Sequence, residues 1–185
     1  MNISQCLESD SIESAYGERK ILQSIYLKIP AGNVTALLGR NGCGKSSLLQ
    51  IIFGTLKPTY KSVRWDKQYV AFPYLERKLV RYLPQHPLTP PSMRVEEAFK
   101  RYEAVPDASL EDKWQRLKSQ RFGELSGGER RFWETLLIVF SPVPFVLLDE
   151  PFSHLSPIYI EHLKEIITGQ KSNKGILITD HLYRE

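Results

Sequence analysis

The stretch VTALLGRNGCGKSSLLQIIFG, residues 34–54, decides the fold class of this chain. Val34 to Leu38 form an apolar run that predicts a buried strand. Leu48 to Phe53 predict a helix that ends at Gly54, because glycine commonly terminates helices. Between the two lies a glycine-rich loop, residues 39–47. The order strand, glycine loop, helix predicts an α/β fold with an anion-binding loop at its centre.

The loop matches the phosphate-binding pattern Gly39-x4-Gly44-Lys45-Ser46. Glycines let backbone N–H groups wrap a phosphate at a helix N-terminus, while the lysine reaches the terminal phosphates and the serine holds Mg²⁺. A glycine turn that contains a lysine by coincidence is the alternative, but the motif lies where the mechanism requires it. We therefore expect the nucleotide to be bound by Gly39, Arg40, Asn41, Gly42, Cys43, Gly44, Lys45, Ser46 and Ser47.

A second motif, FVLLDE at residues 145–150, is an apolar strand followed by two acids. It places Asp149 at the carboxyl end of a central strand, where open α/β sheets bind ligands and where an acid reaches Mg²⁺ through water. Glu150 would then lie near the terminal phosphate and act as the general base for the attacking water. An apolar strand ending in acids is common by itself, so this interpretation depends on the glycine loop upstream.

A third motif, LSGGERR at residues 125–131, precedes a predicted helix at 132–140. Ser126 and the amides of Gly127 and Gly128 would form an anion-binding helix N-terminus with a partial positive charge. Taken alone, the stretch could be an ordinary glycine-rich helix start. It would duplicate the work of the first loop if both faced the same nucleotide.

Composition sets the broad class of the protein. With 185 residues, 42% apolar and 25% charged, the chain is predicted to be one soluble domain. The opening residues, 1–11, have neither the basic flank nor the apolar stretch of a targeting peptide. The longest apolar segment, 135–148, contains two prolines and is shorter than the roughly 20 residues that cross a bilayer. Two cysteines indicate neither a disulfide framework nor a metal cluster, so we expect the cytosol.

The basic charge is concentrated between Lys57 and Arg81, where seven basic residues face two acids, whereas the whole chain has a net charge of +4. Five aromatic residues interleave with these charges, which is one way to bind single-stranded nucleic acid. The solvated face of a half-buried antiparallel strand produces the same pattern and is the favoured interpretation.

Five motifs occur in a fixed order: GRNGCGKSS, Gln85 within YLPQHP, LSGGERR, FVLLDEP and His181 within ITDH. In this order they resemble the nucleotide-binding subunit of ATP-binding cassette (ABC) proteins, from about Tyr16 to His181. LSGGE is the discriminating piece, because many unrelated NTPases have a P-loop. The resemblance implies one domain, 1–185, of class α/β: a P-loop NTPase core with a mainly parallel sheet, an N-terminal antiparallel β subdomain and a small helical subdomain at about 92–124.

The resemblance also implies partners and roles. Two subunits, identical or different, would pack head to tail, so that Ser126, Gly127 and Gly128 of one close on the ATP held by the P-loop of the other. Tyr16 would stack on adenine, although a core tyrosine is the alternative. Lys45, Gln85, Glu150 and His181 would be catalytic. Ser46, Gln85 and Asp149 would hold Mg²⁺.

Functionally, the resemblance implies the ATPase of a transporter, acting at the cytoplasmic face of a membrane through a separate membrane subunit. A short helix of that subunit would enter a groove near Gln85. The alternative is a soluble ABC-type ATPase acting on nucleic acid or ribosomes, supported only by the basic stretch, so nucleic acid is not the expected partner. A regulator that hydrolyses little is disfavoured by intact Lys45, Asp149 and Glu150.

Several positions differ from the family pattern or carry no expected role. Ser156 stands where the family usually has an acid, which puts communication between the two sites in doubt. The C-terminal strands of the family do not follow His181, and an unpaired sheet edge would be a liability. Cys43 is interpreted as a packing residue. Arg130 and Arg131 are interpreted as surface or lobe-packing residues rather than catalytic ones.

Overall fold

The structure, a computed structural model, describes residues 5–76 and 78–180 and contains two four-stranded sheets. The strands are β1 (Cys6–Tyr16), β2 (Arg19–Pro30), β3 (Val34–Leu38), β4 (Tyr60–Trp65), β5 (Gln68–Tyr69), β6 (Val80–Leu83), β7 (Phe145–Asp149) and β8 (Gly175–Asp180). The helices are α1 (Lys45–Phe53), α2 (Val95–Arg101), α3 (Glu111–Leu117), α4 (Gly127–Val139) and α5 (Pro157–Gln170). The predicted α/β class, with one antiparallel and one parallel sheet, is confirmed.

The antiparallel sheet has the order β2-β1-β4-β5. Its inner face buries Leu7, Ile29 and Val63 in a core shared with α1. Sequence patterning did not predict β1, because its apolar residues are few and its alternation is broken. The break is a register shift around Ser11, whose φ of 52° lies in the left-handed region. The short strands predicted between 55 and 83 are present as β4, β5 and β6.

The parallel sheet has the order β3-β8-β7-β6, so β7 and its acids are central. All five residues of β7 are buried, as the apolar run predicted. The prediction that Val34–Leu38 is a buried strand is wrong: it is a strand, but Val34 is 39% and Leu38 48% exposed. The physical reason is its position, since β3 is at the edge and pairs only with β8 among the described strands.

Helix α1 starts directly at the glycine loop because Gly44, its N-cap residue, has a φ of 99°. A Cβ atom at Gly44 would lie 2.8 Å from Cγ2 of Ile21, so a larger residue is excluded by both backbone conformation and space. Gly54 ends the helix in the left-handed conformation, as predicted. The loop is therefore clamped between β3 and the N-terminus of α1.

Between residues 92 and 124 the chain forms α2, α3 and two 3-10 turns, at Ala108–Leu110 and Phe122–Glu124. The Asp107 side chain caps the first turn by accepting from the Ser109 N–H group. Aromatic rings attach this segment to α4: Trp114 lies 5.0 Å from Phe99 and 5.8 Å from Trp133, between ring centroids. The segment thus positions the N-terminus of α4. Among the described residues, no helix is both long and apolar enough to cross a bilayer.

Lys174 gives a prediction about stability. It is 5% exposed, and its Nζ donates 2.7 Å hydrogen bonds to Val139 O and Ser141 O at the end of α4. Burial lowers the pKa of Lys174 to about 8 from its ordinary 10.5. Between these values the unfolded chain binds more protons than the folded one, so the free energy of unfolding rises with pH. We expect this rise to be on the order of 2 kcal/mol between pH 8 and 10.

Urea denaturation of the protein and of Lys174→Met measures this effect. The neutral amine keeps two N–H donors for the two carbonyls, so the destabilisation caused by Lys174→Met should grow from pH 8 to 10. Lys171→Met, at an exposed position in the same turn, is the control and should show no such trend. A constant difference between Lys174→Met and the parent protein would contradict the prediction.

Candidate active site

The glycine loop opens onto a cavity of about 370 Å³. Gln85 and Glu150, which come from segments far away in sequence, line the same cavity. Lys45 is 7% exposed, and its Nζ donates to Gly39 O at 2.6 Å and to Arg40 O at 3.2 Å, so the ammonium lies over the loop. The remaining residues that line the cavity are Ile21, Asn41, Gly42, Gly44, Ser46 and Ser47. The arrangement can hold an anionic ligand beside a carboxylate and an amide.

Asp149, at the end of β7, is 1% exposed and has a fixed orientation. Its Oδ1 accepts a 2.7 Å hydrogen bond from Thr179 Oγ1, and its Oδ2 accepts a 3.2 Å bond from Tyr82 Oη. Burial and the neighbouring Asp149 carboxylate raise the pKa of Tyr82 above its ordinary value, so the phenol keeps its proton and donates. Sequence reasoning missed Tyr82 and Thr179, because a hydroxyl on a buried strand has no motif of its own.

Glu150 is held in an unusual backbone conformation, with a φ of 50°. Its N–H donates to Thr179 Oγ1 at 3.0 Å. Its Oε2 accepts hydrogen bonds from Gln85 Nε2 at 2.9 Å and from Ser153 Oγ at 3.2 Å. Non-glycine residues with positive φ cluster at functional sites, where the surrounding structure must hold them. The Glu150 carboxylate is thus oriented towards the loop cavity, next to the Gln85 amide.

The interpretation of Arg131 as a surface or lobe-packing side chain is corrected by its burial and its hydrogen bonds. It is 7% exposed, and its guanidinium donates to Pro84 O at 2.7 Å and to Glu150 O at 3.0 Å, and also to Asp149 O. It therefore touches the main chain beside Gln85 and Glu150. Arg130, in contrast, bonds Glu134 and the carbonyl of Thr89, as expected for a packing residue.

The third motif begins α4. Ser126 is its N-cap: Oγ accepts from the Glu129 N–H group at 3.2 Å, and the Glu129 carboxylate accepts from the Ser126 N–H group at 3.0 Å. Ser126 and Gly127 are exposed, and a Cβ atom at Gly128 would lie 3.0 Å from His154 O. Among the described residues, those that line the P-loop cavity include none from this motif.

The other predicted positions differ in their surroundings. Tyr16 is 84% exposed, so the alternative of a core tyrosine is wrong. Cys43 is exposed, which corrects its interpretation as a packing residue, although its Sγ is close to Gly39. Ser156 is the N-cap residue of α5 and makes no side-chain capping bond. His181 lies outside the described residues.

The basic stretch has structural roles for part of its charge. Arg64 forms a 3.1 Å ion pair with Asp10 on β1, and Lys61 Nζ donates to Ile51 O at 3.4 Å and lies over the Phe72 ring. Several aromatic side chains are nevertheless exposed, among them Tyr60, Tyr69, Phe72 and Tyr74. The stretch therefore contains the sheet face of β4 and β5 and an exposed aromatic edge formed by these four residues, of which Phe72 and Tyr74 follow β5.

A second cavity, of about 530 Å³, lies between α1, β6 and α2. Phe53, Leu88 and Tyr102 supply apolar lining, and Arg81, His86 and Arg101 supply basic side chains. Pro84, next to Gln85, also lines this groove. The cavity therefore lies beside the Gln85 segment, where the family resemblance implies a groove for a partner.

The chain is similar to known proteins in both sequence and fold. A sequence model of the ABC transporter family matches residues 22–153. The lipopolysaccharide export system ATP-binding protein LptB of Acidithiobacillus ferridurans is 28% identical over 99% of this chain and 83% of its own length. A probable ABC transporter ATP-binding protein of Azorhizobium caulinodans is 30% identical over 97% of this chain and 69% of its own. A solved ATP-binding subunit of an ABC transporter superposes with a TM-score of 0.81 at 24% identity, covering 95% of this chain and 79% of that one.

Proposed function

The chain belongs to the ABC transporter family as an ATP-binding and ATP-hydrolysing subunit, and we propose that two such subunits pair head to tail around two ATP. The observation that supports this pairing is the separation of the two half-sites. The P-loop cavity contains Gln85 and Glu150, whereas the anion-binding start of α4 is exposed at Ser126 and Gly127. A second subunit, identical or different, would bring that helix start to the phosphates.

In this dimer each predicted residue has a task. Lys45 and the loop amides hold the phosphates, Tyr16 stacks on adenine, and Glu150 takes the proton of the attacking water. Gln85 orients Glu150 through the 2.9 Å bond between them. His181 would hold the terminal phosphate.

The residues also suit a magnesium ion. Ser46 and Gln85 line the same cavity and offer oxygen ligands, whereas both carboxylate oxygens of Asp149 already accept hydrogen bonds, so Asp149 would act through water. When bound, Mg²⁺ would neutralise charge on the phosphates. Residues 1–185 would act as one ATPase domain, with residues 92–124 as its helical subdomain.

We assign the 530 Å³ groove to a membrane subunit of the transporter, which would place this protein at the cytoplasmic face of a membrane. Arg81 supplies the recognition chemistry. Its side chain lines the groove, and its guanidinium lies 5.4 Å from the centre of the Tyr102 ring. Such a cation is matched by a carboxylate on the docking segment. The expected occupant is a short amphipathic helix with an acidic residue.

The exposed aromatic edge supports this assignment because it continues the groove. Phe53, in the groove, lies 6.0 Å from Tyr74, and Tyr74 lies 6.2 Å from Phe72, between ring centroids. Exposed aromatic residues next to an apolar groove are typical of a protein interface. The family relatives are transporter ATPases, so the alternative of a nucleic-acid factor is not favoured.

Affinity purification from detergent-solubilised membranes tests the assignment. We expect an integral membrane protein to co-purify with the tagged parent protein. Arg81→Glu should lower its recovery about tenfold, because the substitution places a carboxylate opposite the acidic residue of the docking helix. Arg94→Glu has the same charge change at an exposed site outside the groove and should retain the partner. Salt-sensitive recovery of RNA without a membrane protein would contradict the assignment.

A further inference from the structure

One guanidinium on α4 joins two segments that both carry predicted catalytic groups. Arg131 lies in the second turn of α4, five residues after Ser126. Its Nη1 donates to Pro84 O, immediately before Gln85, and its Nη2 donates to the carbonyls of Asp149 and Glu150. The five N–H groups of arginine in a fixed planar fork can satisfy several carbonyls at once. Gln85 also donates to the Glu150 carboxylate. Arg131, Pro84, Gln85 and Glu150 are therefore linked in a closed ring of covalent and hydrogen bonds.

The ring holds a turn that is disfavoured by itself. Glu150 has a φ of 50°, and L residues with side chains rarely adopt this conformation. Arg131 donates to the carbonyls of Asp149 and Glu150, which lie on either side of the Glu150 Cα atom, and Thr179 Oγ1 accepts from the Glu150 N–H group. The direction of the Glu150 side chain follows from this backbone. Arg131 therefore bears on where the carboxylate points.

Packing alone does not account for an arginine at this position. The side chain is 7% exposed, its Nε has no hydrogen-bond partner among the described residues, and its Nη1 and Nη2 donate to main-chain carbonyls. Burial of the Arg131 charge is costly even though the carboxylates of Glu134, Asp149 and Glu150 act on it, whereas an apolar side chain of similar length would fill the space without that cost. Neighbouring Arg130, by contrast, forms an ion pair with Glu134 at 3.1 Å.

We propose that Arg131 is a positioning residue for ATP hydrolysis, which fixes Glu150 and the Gln85 loop to the helix that begins with Ser126. The inference rests on the proposed roles of Gln85 and Glu150. It has a consequence for the dimer: a displacement of α4 when Ser126 meets the nucleotide of the partner is transmitted through Arg131 to the base of the subunit's own site. Arg131 touches no nucleotide in this scheme.

The test compares Arg131→Met, Arg131→Lys and the control Arg130→Met, all checked for folding by thermal melting. Arg131→Met should lower kcat roughly 10- to 100-fold, because a displaced base is costly, while the Kd for a fluorescent ATP analogue changes less than about twofold. Lysine keeps N–H donors but reaches fewer carbonyls, so Arg131→Lys should recover part of kcat. Arg130→Met should stay within about threefold of the parent protein, since Arg130 lies on the same helix but bonds neither Asp149 nor Glu150.

Two further measurements separate positioning from general stability. If Arg131 acts through Glu150, Glu150→Gln should lower kcat much less in the Arg131→Met background than in the parent protein. Hydrogen–deuterium exchange of residues 149–154 should accelerate in Arg131→Met and not in Arg130→Met, whether or not the protein turns over ATP. Additive kinetic effects, or unchanged exchange in that segment, would overturn the proposal. Faster exchange together with full activity of Glu150→Gln would instead refute the role of Glu150 and leave the hold by Arg131 established.

Discussion

Replacing Glu150 by Gln is expected to lower ATP turnover about 10²- to 10⁴-fold, which is the range that a general base contributes. Glutamine has nearly the same shape and still offers an oxygen to the Gln85 amide, so the cavity should bind ATP as before. It cannot take a proton from the attacking water. With binding intact and hydrolysis blocked, the ATP-bound dimer should accumulate, and size-exclusion chromatography with ATP and Mg²⁺ should show it.

The matched control is Glu161→Gln, an exposed carboxylate on α5 far from the loop cavity. It should leave both turnover and the elution volume unchanged. If Glu150→Gln elutes only as a monomer and turns over at the rate of the parent protein, Glu150 is not the base. Loss of turnover together with loss of ATP binding would instead mean that the substitution disturbs the cavity.

The predictable part of the site consists of residues whose chemistry demands a particular type at a particular spacing. Gly44 must be glycine, because its φ of 99° and the nearby Ile21 side chain exclude a Cβ atom, and Lys45 must follow it to reach the phosphates. Asp149 and Glu150 were predictable because they lie at the carboxyl end of an apolar strand, which is where open α/β sheets bind ligands. The placement of Glu150 in one cavity with Gln85 follows from the fold.

The remaining part depends on contacts that no local pattern encodes. Arg131 binds carbonyls 47 and 18 residues away, and a main-chain carbonyl is available at any residue type. Tyr82 donates to the Asp149 carboxylate across 67 residues, a separation that no local pattern encodes. The exposure of β3 was mispredicted because an apolar run is compatible with both central and edge strands. Sequence therefore predicts the residues proposed to touch ligand better than the residues proposed to position them.

Mixing two inactive variants gives the sharpest test of the head-to-tail dimer. Lys45→Met removes the phosphate contact of the P-loop. Ser126→Asp keeps an N-cap oxygen for the Glu129 N–H group but places a negative charge where the phosphate would bind. Each variant alone should lose about 100-fold or more in turnover, because each removes electrostatic stabilisation of the phosphates.

In a mixture of equal amounts, the mixed dimer has one site that combines the intact P-loop of the Ser126→Asp chain with the intact LSGGERR motif of the Lys45→Met chain. Half of the dimers would be mixed and each would have one working site, so turnover should recover to about a quarter of the parent level. Phosphate release measured against the fraction of each variant gives a maximum at equal amounts. Recovery requires that the two motifs of one site come from different chains.

The neutral variant Ser126→Asn is the control, because it retains the cap and adds no charge. It should lose far less activity than Ser126→Asp. Because a carboxylate at position 126 would also face the Glu129 carboxylate, which accepts a 2.6 Å bond from Ser126 Oγ, equal melting temperatures of the two variants are required to assign the loss to repulsion of the phosphate. Both variants are first shown to bind ATP or to form dimers as expected. If the mixture then stays inactive, the LSGGERR motif acts on the nucleotide of its own chain. That result would require Ser126 to reach the P-loop cavity of the same subunit, although none of the described residues of LSGGERR lines it.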